Sequence, residues 1–586
     1  MVSSKHARDG GREEILPPST SRTDRLTLTS STVGALPILN RILERMRLRE
    51  FLRDYLPQTG RRAKIPVEEV LLILVRNLLV SREPLYGVGE WVSRQGLDLL
   101  DLAPQQVAAF NDDRVGRGLD RLFDADRGSL ALAVTEHVIR EFQVDLEQLH
   151  NDSTSIRFFG EYEGAFPGAL VRGKPTLALL QGHSKDHRPD LKQLLFILTV
   201  SRDGGVPVHF TAADGNVTDD RTHRNTWDLL CQLTGRRDFL YVADCKLATA
   251  ENLGHIARHG GRFVTVLPRT RAEDRQFRDS VRAGQVVWKE FYRRYEEEDL
   301  VDVFQMAQEA PRTVEGYRLL WFHSAAKEDH DRAARGKKIA RALEDLTVLR
   351  SQLRSPRTRY RERGKVAAKV EGILAERGAS CWIRVEIEEE EEARYRQEKR
   401  GRPGQNTRYK KTVKPRFELR FEVDSVAVAA EAATDGVFPL VSNDERMSEK
   451  EVLLAYKGQA LVEKRFSQLK SDYEVAPMFL KSVARLEAFL CIYFFGLMVQ
   501  ALLQRELRRS MKTKRIEALP LYPEKRACKA PCARRVIDLF ENVQRHELVE
   551  RGRRKAVLVT DLTPLQRRIL RLLKVPMSPY RSNSPG

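Results

Sequence analysis

Tyr456, Gln459, Glu463 and Lys470 stand in the stretch YKGQALVEKRFSQLK. At 100° per residue a single helix would gather them into one polar stripe, within roughly 60° of one another. Val462, Phe466 and Leu469 recur at i, i+4 and i+7 and form an apolar stripe about a quarter-turn away, so the polar set should lie at the rim of a buried face. An acid held rigidly there, with a phenol and an ammonium one heptad to either side, suits a metal-bound phosphate: the carboxylate takes the metal and the ammonium takes the phosphate. Taken alone, the stretch reads first as an amphipathic helix with ordinary solvated charges.

Two further acids lie at the ends of strand-like segments. Asp152 falls in DLEQLHNDSTSIRFFG, which alternates enough for a strand, and Asp244 ends FLYVADC, a short run of the buried-strand type. An acid at the end of a central strand faces the crevice where open α/β sheets bind ligands. Singly, each reads first as a turn or capping residue.

The spacing Tyr-x2-(Arg)-x3-Glu-x6-Lys resembles the signature of one branch of the bacterial insertion-sequence DDE transposases, with Tyr456, Glu463 and Lys470 in register and Gln459 in place of the usual Arg. That departure touches only the auxiliary contact made at its position. The order Asp152, Asp244, Glu463 resembles the carboxylate set of ribonuclease-H-like nucleotidyl transferases. GHSKDHRPDLKQ resembles a segment of the same group and offers Lys185, Arg188 and Lys192 to phosphates, with Asp186 and Asp190 as rival carboxylates. The resemblance implies an α/β fold: a ribonuclease-H-like mixed sheet with flanking helices, interrupted by an insertion, beside an all-helical N-terminal domain and a helical C-terminal region. It also implies Asp152, Asp244 and Glu463 on two Mg²⁺ ions, with Mn²⁺ an alternative; Tyr456, Gln459 and Lys470 near the phosphate backbone; double-stranded DNA as substrate; and a homodimer in the synaptic complex.

Composition agrees with a nucleic-acid partner. The chain has 586 residues, is 41% hydrophobic and 31% charged, and carries a formal charge of +19. This is enough apolar residue for several cores, and the balance favours a polyanion. Six cysteines in so long a chain do not resemble a disulfide framework, and Cys528 and Cys532 lack a second ligand pair, so free thiols in a bacterial cytoplasm are expected. The N-terminus has no apolar signal region, and the run from Ala488 to Val499 is too short for a membrane span, so it is read as a buried helix. No dinucleotide fingerprint or P-loop is present, so no nucleotide cofactor is expected.

These motifs need elements to carry them. Residues 1–32 read as a loose tail and 33–143 as a helical DNA-binding domain, whose segment after Pro84 either offers Arg94 and Gln95 to DNA as part of a helix-turn-helix or only packs. The catalytic domain is expected over 144–269 and 434–474. It includes a hairpin turning at Asp203-Gly204-Gly205 and a capping box, Ser448 and Glu451, opening the helix that carries Glu463; Gly458 marks a bend or a close approach to DNA. The insertion, 270–433, holds thirteen Lys or Arg against three Asp or Glu between Arg332 and Lys369, which suits a track along DNA or a solvated helix face. Its RGRP core, Arg400 to Pro403, is either a minor-groove hook or a plain turn. Trp288, Trp321 and Trp382 belong to the same insertion, and 475–586 read as further helices. The alternatives to a transposase that cleaves and joins DNA are a non-catalytic DNA-binding regulator derived from one and a structure-specific nuclease on the same fold.

Overall fold

The computed structural model describes residues 26–57, 64–182, 190–296, 299–309, 311–355, 357–473, 480–522, 524–550 and 553–583. The chain divides into two compact units, one made of 144–157 and 179–466, the other of 1–143, 158–178 and 467–586.

The first unit is built on a nine-stranded sheet. Its strands are β1 (Gln148–Phe158), β2 (Lys192–Ser201), β3 (Pro207–Asp214), β4 (Leu240–Ala243), β5 (Arg262–Val266), β6 (Trp288–Glu296), β7 (Asp299–Ala307), β8 (Arg318–Ser324) and β9 (Val437–Ser442), in the spatial order 3-2-1-4-5-9-8-7-6. β1, β4 and β5 run parallel, and β2 and β3 form the expected antiparallel hairpin with Gly204 and Gly205 at positive φ in its turn. The parallel strands are Val-, Leu- and Tyr-rich because helices cover both faces, as the buried clusters around Trp227, Phe239, Tyr241 and Phe263 and around Val242, Val264, Leu440 and Leu453 show. The order 3-2-1-4-5 with its parallel centre is the ribonuclease-H-like mixed sheet.

The insertion begins later than expected. β6, β7 and β8 extend the main sheet beyond β9 instead of leaving it, and Trp321 is buried in that sheet's core, 3.8 Å from the Phe277 ring. What departs is a subdomain between Ala325 and Val423. It consists of the helices Ala325–Arg354 and Arg363–Arg377 and a hairpin of two 15-residue strands, Ile383–Gln397 and Tyr409–Val423, sharing a core of Leu346, Leu349, Val366, Val370, Phe417 and Leu419. Part of the basic stripe is already paired: Arg335 is buried in a bidentate pair with Asp435, both bonds 2.7 Å, and the exposed Arg332 pairs with Glu328 and Asp329 on its own helix.

In the second unit the N-terminal helices and the C-terminal region share one core. The helix Val483–Thr513 passes the length and composition test for a membrane span, yet 94% of its most apolar window is buried in protein. It packs on Val67–Val80 and Asp112–Asp124, and Arg485 forms two 2.8 Å bonds to Asp120 across Gly116, where a Cβ would lie 2.5 Å from the guanidinium. Two expectations fail here. Leu26–Thr32 is a strand, not tail, and pairs with Gln544–Glu550, which pairs in turn with Arg553–Val559; the C-terminal region is therefore not wholly helical. The alternation in RHELVE and KAVLV is the strand signal that a helical reading passes over. Nor is Gln95 offered to DNA: it is 5% exposed and donates to the Trp91 carbonyl, at the end of a helix only seven residues long.

Candidate active site

The site is assembled by a ladder of contacts between β1 and the segment carrying Glu463. Gln148, His150 and Asp152 alternate along β1 and so share one face of the sheet. On that face Gln148 Nε2 donates to the Ala455 carbonyl at 3.1 Å and lies 2.9 Å from His150 Nε2, while His150 Nδ1 lies 3.2 Å from Gln459 Oε1. Gln459 Nε2 then donates to the Asn151 carbonyl at 2.8 Å. These contacts tie β1, just before Asp152, to the segment just before Glu463.

Asp244 joins from the neighbouring strand. β1 and β4 pair in parallel up to Asn151 opposite Ala243, so Asp152 and Asp244 directly follow the last paired residues of two neighbouring strands. Asp244 is extended and caps the turn Cys245–Leu247 by accepting from Lys246 N at 3.0 Å, and Asp152 accepts from its neighbour Ser153 N at 2.7 Å. Asp244 thus has the local capping role that its surroundings suggested. Tyr456 reports the common field: burial raises its phenol pKa, and the charges of Asp244, Cys245, Glu463 and Asp152 raise it further. It therefore stays protonated, a hydrogen-bond donor among three carboxylates.

The stretch from Tyr456 to Lys470 is not one straight helix. Glu449–Lys457, opened by the Ser448/Glu451 capping box, gives way at Gly458 to a tightened turn in which Gln459, Leu461 and Val462 donate to the carbonyls three residues back; Ala460–Ser467 follows, then a π-helical turn over Gln468–Asp472. The bend has a local cause. A Cβ on Gly458 would lie 2.6 Å from His150 Cε1, so glycine lets the imidazole seat against the backbone. Lys470 lies in the π-helical turn, in the other unit.

Gln459 is also displaced from its expected part. It is 6% exposed, with both ends of its amide bonded to β1, so it is not available to a DNA phosphate. Lys185 and Arg188 lie outside the described residues; Lys192 opens β2, partly exposed. Arg400 and Arg402 are exposed at the turn of the long hairpin, whose outer part, Ala393 to Val413, holds eight Lys or Arg against one Glu. Sequence reading missed Gln148, His150 and Arg465. Burial pushes the His150 pKa down to about 4, so the ring is neutral; with Nδ1 donating to Gln459, Nε2 accepts from Gln148. Arg465 is 2% exposed and donates to the Gly204 and Gly205 carbonyls, both at 2.8 Å, tying the Glu463 segment to the β2–β3 turn. Polar residues at alternate positions of a buried strand, Gln148 and His150, were the available signal.

Residues 149–499, more than half of the chain, match the family described as Transposase DDE domain. The chain belongs to the DDE transposases. Residues 28–135 of this transposase match a domain of unknown function, DUF4277, which starts within the Leu26–Thr32 strand. No curated protein matches the chain. Members of the family act in DNA transposition and recombination and generally use divalent metal ions. The donors fit such an ion in kind, since carboxylate oxygens suit a hard cation. Among the described residues no three His, Cys, Asp or Glu side chains converge at ligand distance, so the fit is one of donor chemistry and shared face, not of a closed cage.

Proposed function

We propose that this transposase binds the ends of an insertion sequence, cleaves them and joins them to target DNA, with Asp152, Asp244 and Glu463 holding two Mg²⁺ ions. What supports the reading is that Asp152 and Asp244 directly follow the last paired residues of two neighbouring parallel strands, Asn151 and Ala243, and that the charges of Asp244, Glu463 and Asp152 all act on the Tyr456 phenol. When bound, the metal pair supplies an acidified water or DNA 3′-hydroxyl and charge neutralisation at the leaving oxygen. The protein's own part is placement. β1 and β4 fix the two aspartates, the bend at Gly458 fixes Glu463, and the Tyr456 hydroxyl, kept protonated, can donate to a non-bridging phosphate oxygen. Lys470 reaches the phosphate backbone beside the scissile bond in this reading, and Lys185, Arg188 and Lys192 hold phosphates further along. Arg400 and Arg402 would enter a groove at the end of the hairpin, since a two-stranded ribbon is narrow enough for one. Both element ends must be handled together, which favours a homodimer on DNA.

The test is incubation of the purified protein with Mg²⁺ or Mn²⁺ and a labelled duplex carrying the inverted repeat beside its own gene, in parallel with Glu463→Gln. Metal-dependent cutting at the repeat boundary by the wild type alone supports the proposal. Binding without cutting under either metal, unchanged by Glu463→Gln, would make the protein a DNA-binding regulator. Cutting of branched or mismatched DNA in preference to the repeat would make it a structure-specific nuclease.

A further inference from the structure

We propose that Gln459 is a positioning residue: with His150 it forms an internal latch that holds Glu463 opposite Asp152, and it makes no contact with DNA. The inference rests on the carboxylate site described above and assigns a role to the one position at which the chain departs from its signature. Four observations carry it. Gln459 is 6% exposed and His150 wholly buried, so neither reaches a duplex. Both ends of the Gln459 side-chain amide bond β1, Oε1 at His150 and Nε2 at the Asn151 carbonyl, and Asn151 is the residue before Asp152. Gly458 leaves the notch into which the imidazole fits, so the approach of bend and strand depends on a side chain being absent there. Finally, Glu463 N donates to the Gln459 carbonyl, which makes Gln459 the first residue of the turn that aims Glu463.

The chemistry also explains why an arginine does not stand here. A guanidinium at 459 would be buried against the His150 ring, and Arg202 already bonds Gln148 at 2.8 Å on the same face. A second cation would find no carboxylate partner in the latch and would lose its hydration. Glutamine supplies one acceptor and two donors without charge, and both Oε1 and Nε2 are bonded. The latch matters because the helix is short on either side of the bend: a slip of one residue would turn Glu463 by about 100° off the shared face.

The experiment compares the full-length protein with Gln459→Met, which keeps the length and loses both bonds, and with Gln459→Arg, which restores the signature. Each is measured for Mg²⁺ binding by calorimetry, for affinity to a duplex bearing the element end across a salt series, and for cleavage rate. The latch predicts about a 10–100-fold loss in Mg²⁺ affinity and in cleavage rate for both variants, with DNA affinity and its salt dependence unchanged for Gln459→Met. Cleavage and Mg²⁺ binding within twofold of wild type in Gln459→Met would overturn it. So would a gain in DNA affinity with faster cleavage in Gln459→Arg, since position 459 would then face DNA. If Gln459→Met does not fold, the same readouts on the His150 side decide. His150→Asn keeps an N–H where Nδ1 stands and should retain most activity, while His150→Leu should lose it; equal behaviour of the two would overturn the latch. Glu463→Gln separates the two layers of the argument. If it binds Mg²⁺ as well as the wild type, the carboxylate site itself is wrong. If it does not, the outcome for Gln459 stands on its own.

Discussion

Replacing Gly458 by alanine should destabilise the protein, although alanine is the better helix former. The backbone at Gly458 is right-handed helical, φ −63° and ψ −14°, so nothing conformational forbids a side chain, and propensity alone would gain about 1 kcal/mol. Space decides otherwise. The added Cβ would stand 2.6 Å from His150 Cε1, 2.7 Å from Nε2 and 3.0 Å from the Ala455 carbonyl oxygen. Carbon atoms rest at about 3.5–4.0 Å, so the imidazole must retreat by about 1 Å. It is fully buried and bonded on both sides, to Gln148 and Gln459, and cannot swing into solvent. Overpacking costs about 1–3 kcal/mol and a stretched His150–Gln459 bond about 0.5–1.5 kcal/mol, against the gain of about 1 kcal/mol, for a net loss of about 0.5–3.5 kcal/mol. Urea unfolding measures it directly. A double-mutant cycle isolates the cause: in a His150→Ala background Gly458→Ala should cost nothing or stabilise slightly. A Gly458→Ala protein as stable as the wild type, or one equally destabilised with and without His150, would refute the reasoning.

Three other outcomes are expected. Arg465→Met removes two charged hydrogen bonds to the Gly204–Gly205 turn and should cost about 2–4 kcal/mol in urea unfolding, with faster amide exchange in the β2–β3 turn; unchanged exchange there would disconnect Arg465 from the turn. Glu69 is pushed up to about 7, chiefly by burial, and Arg49 at 3.0 Å pulls the other way without overcoming it. Because its folded pKa lies above the unfolded value near 4.5, its stabilisation is full below pH 4.5 and is lost as pH rises to about 7; a Glu69→Gln protein should lack that fall in urea midpoint between pH 5 and 7.5, and an identical fall would assign the effect elsewhere. Alanine at both Arg400 and Arg402 should flatten the slope of log K against log salt for duplex DNA by about 2, one phosphate each at about 0.9, while an unchanged slope would leave the hairpin turn off the DNA.

What could be read from the sequence was whatever depended on local pattern. β1, the Gly204–Gly205 hairpin, the short apolar run ending at Asp244 and the Ser448/Glu451 capping box are signals within a dozen residues, and each formed where its pattern placed it. The errors share a physical origin in distance along the chain. Nothing near Leu26 announces that its strand partner is Glu550, and nothing near Trp288 tells a strand that leaves the sheet from one that extends it. The site shows the same division. The spacing of Tyr456, Glu463 and Lys470 assumes an unbroken helical phase, and the phase is broken by a contact with His150, some three hundred residues earlier in the chain. The tightened turn at Gln459 and the π-helical turn at Gln468–Asp472 are departures from a regular helix that residue spacing does not announce. Gly458 was the one local clue. A glycine costing about 1 kcal/mol inside a helix requires a reason, and the reason is the imidazole seated against it.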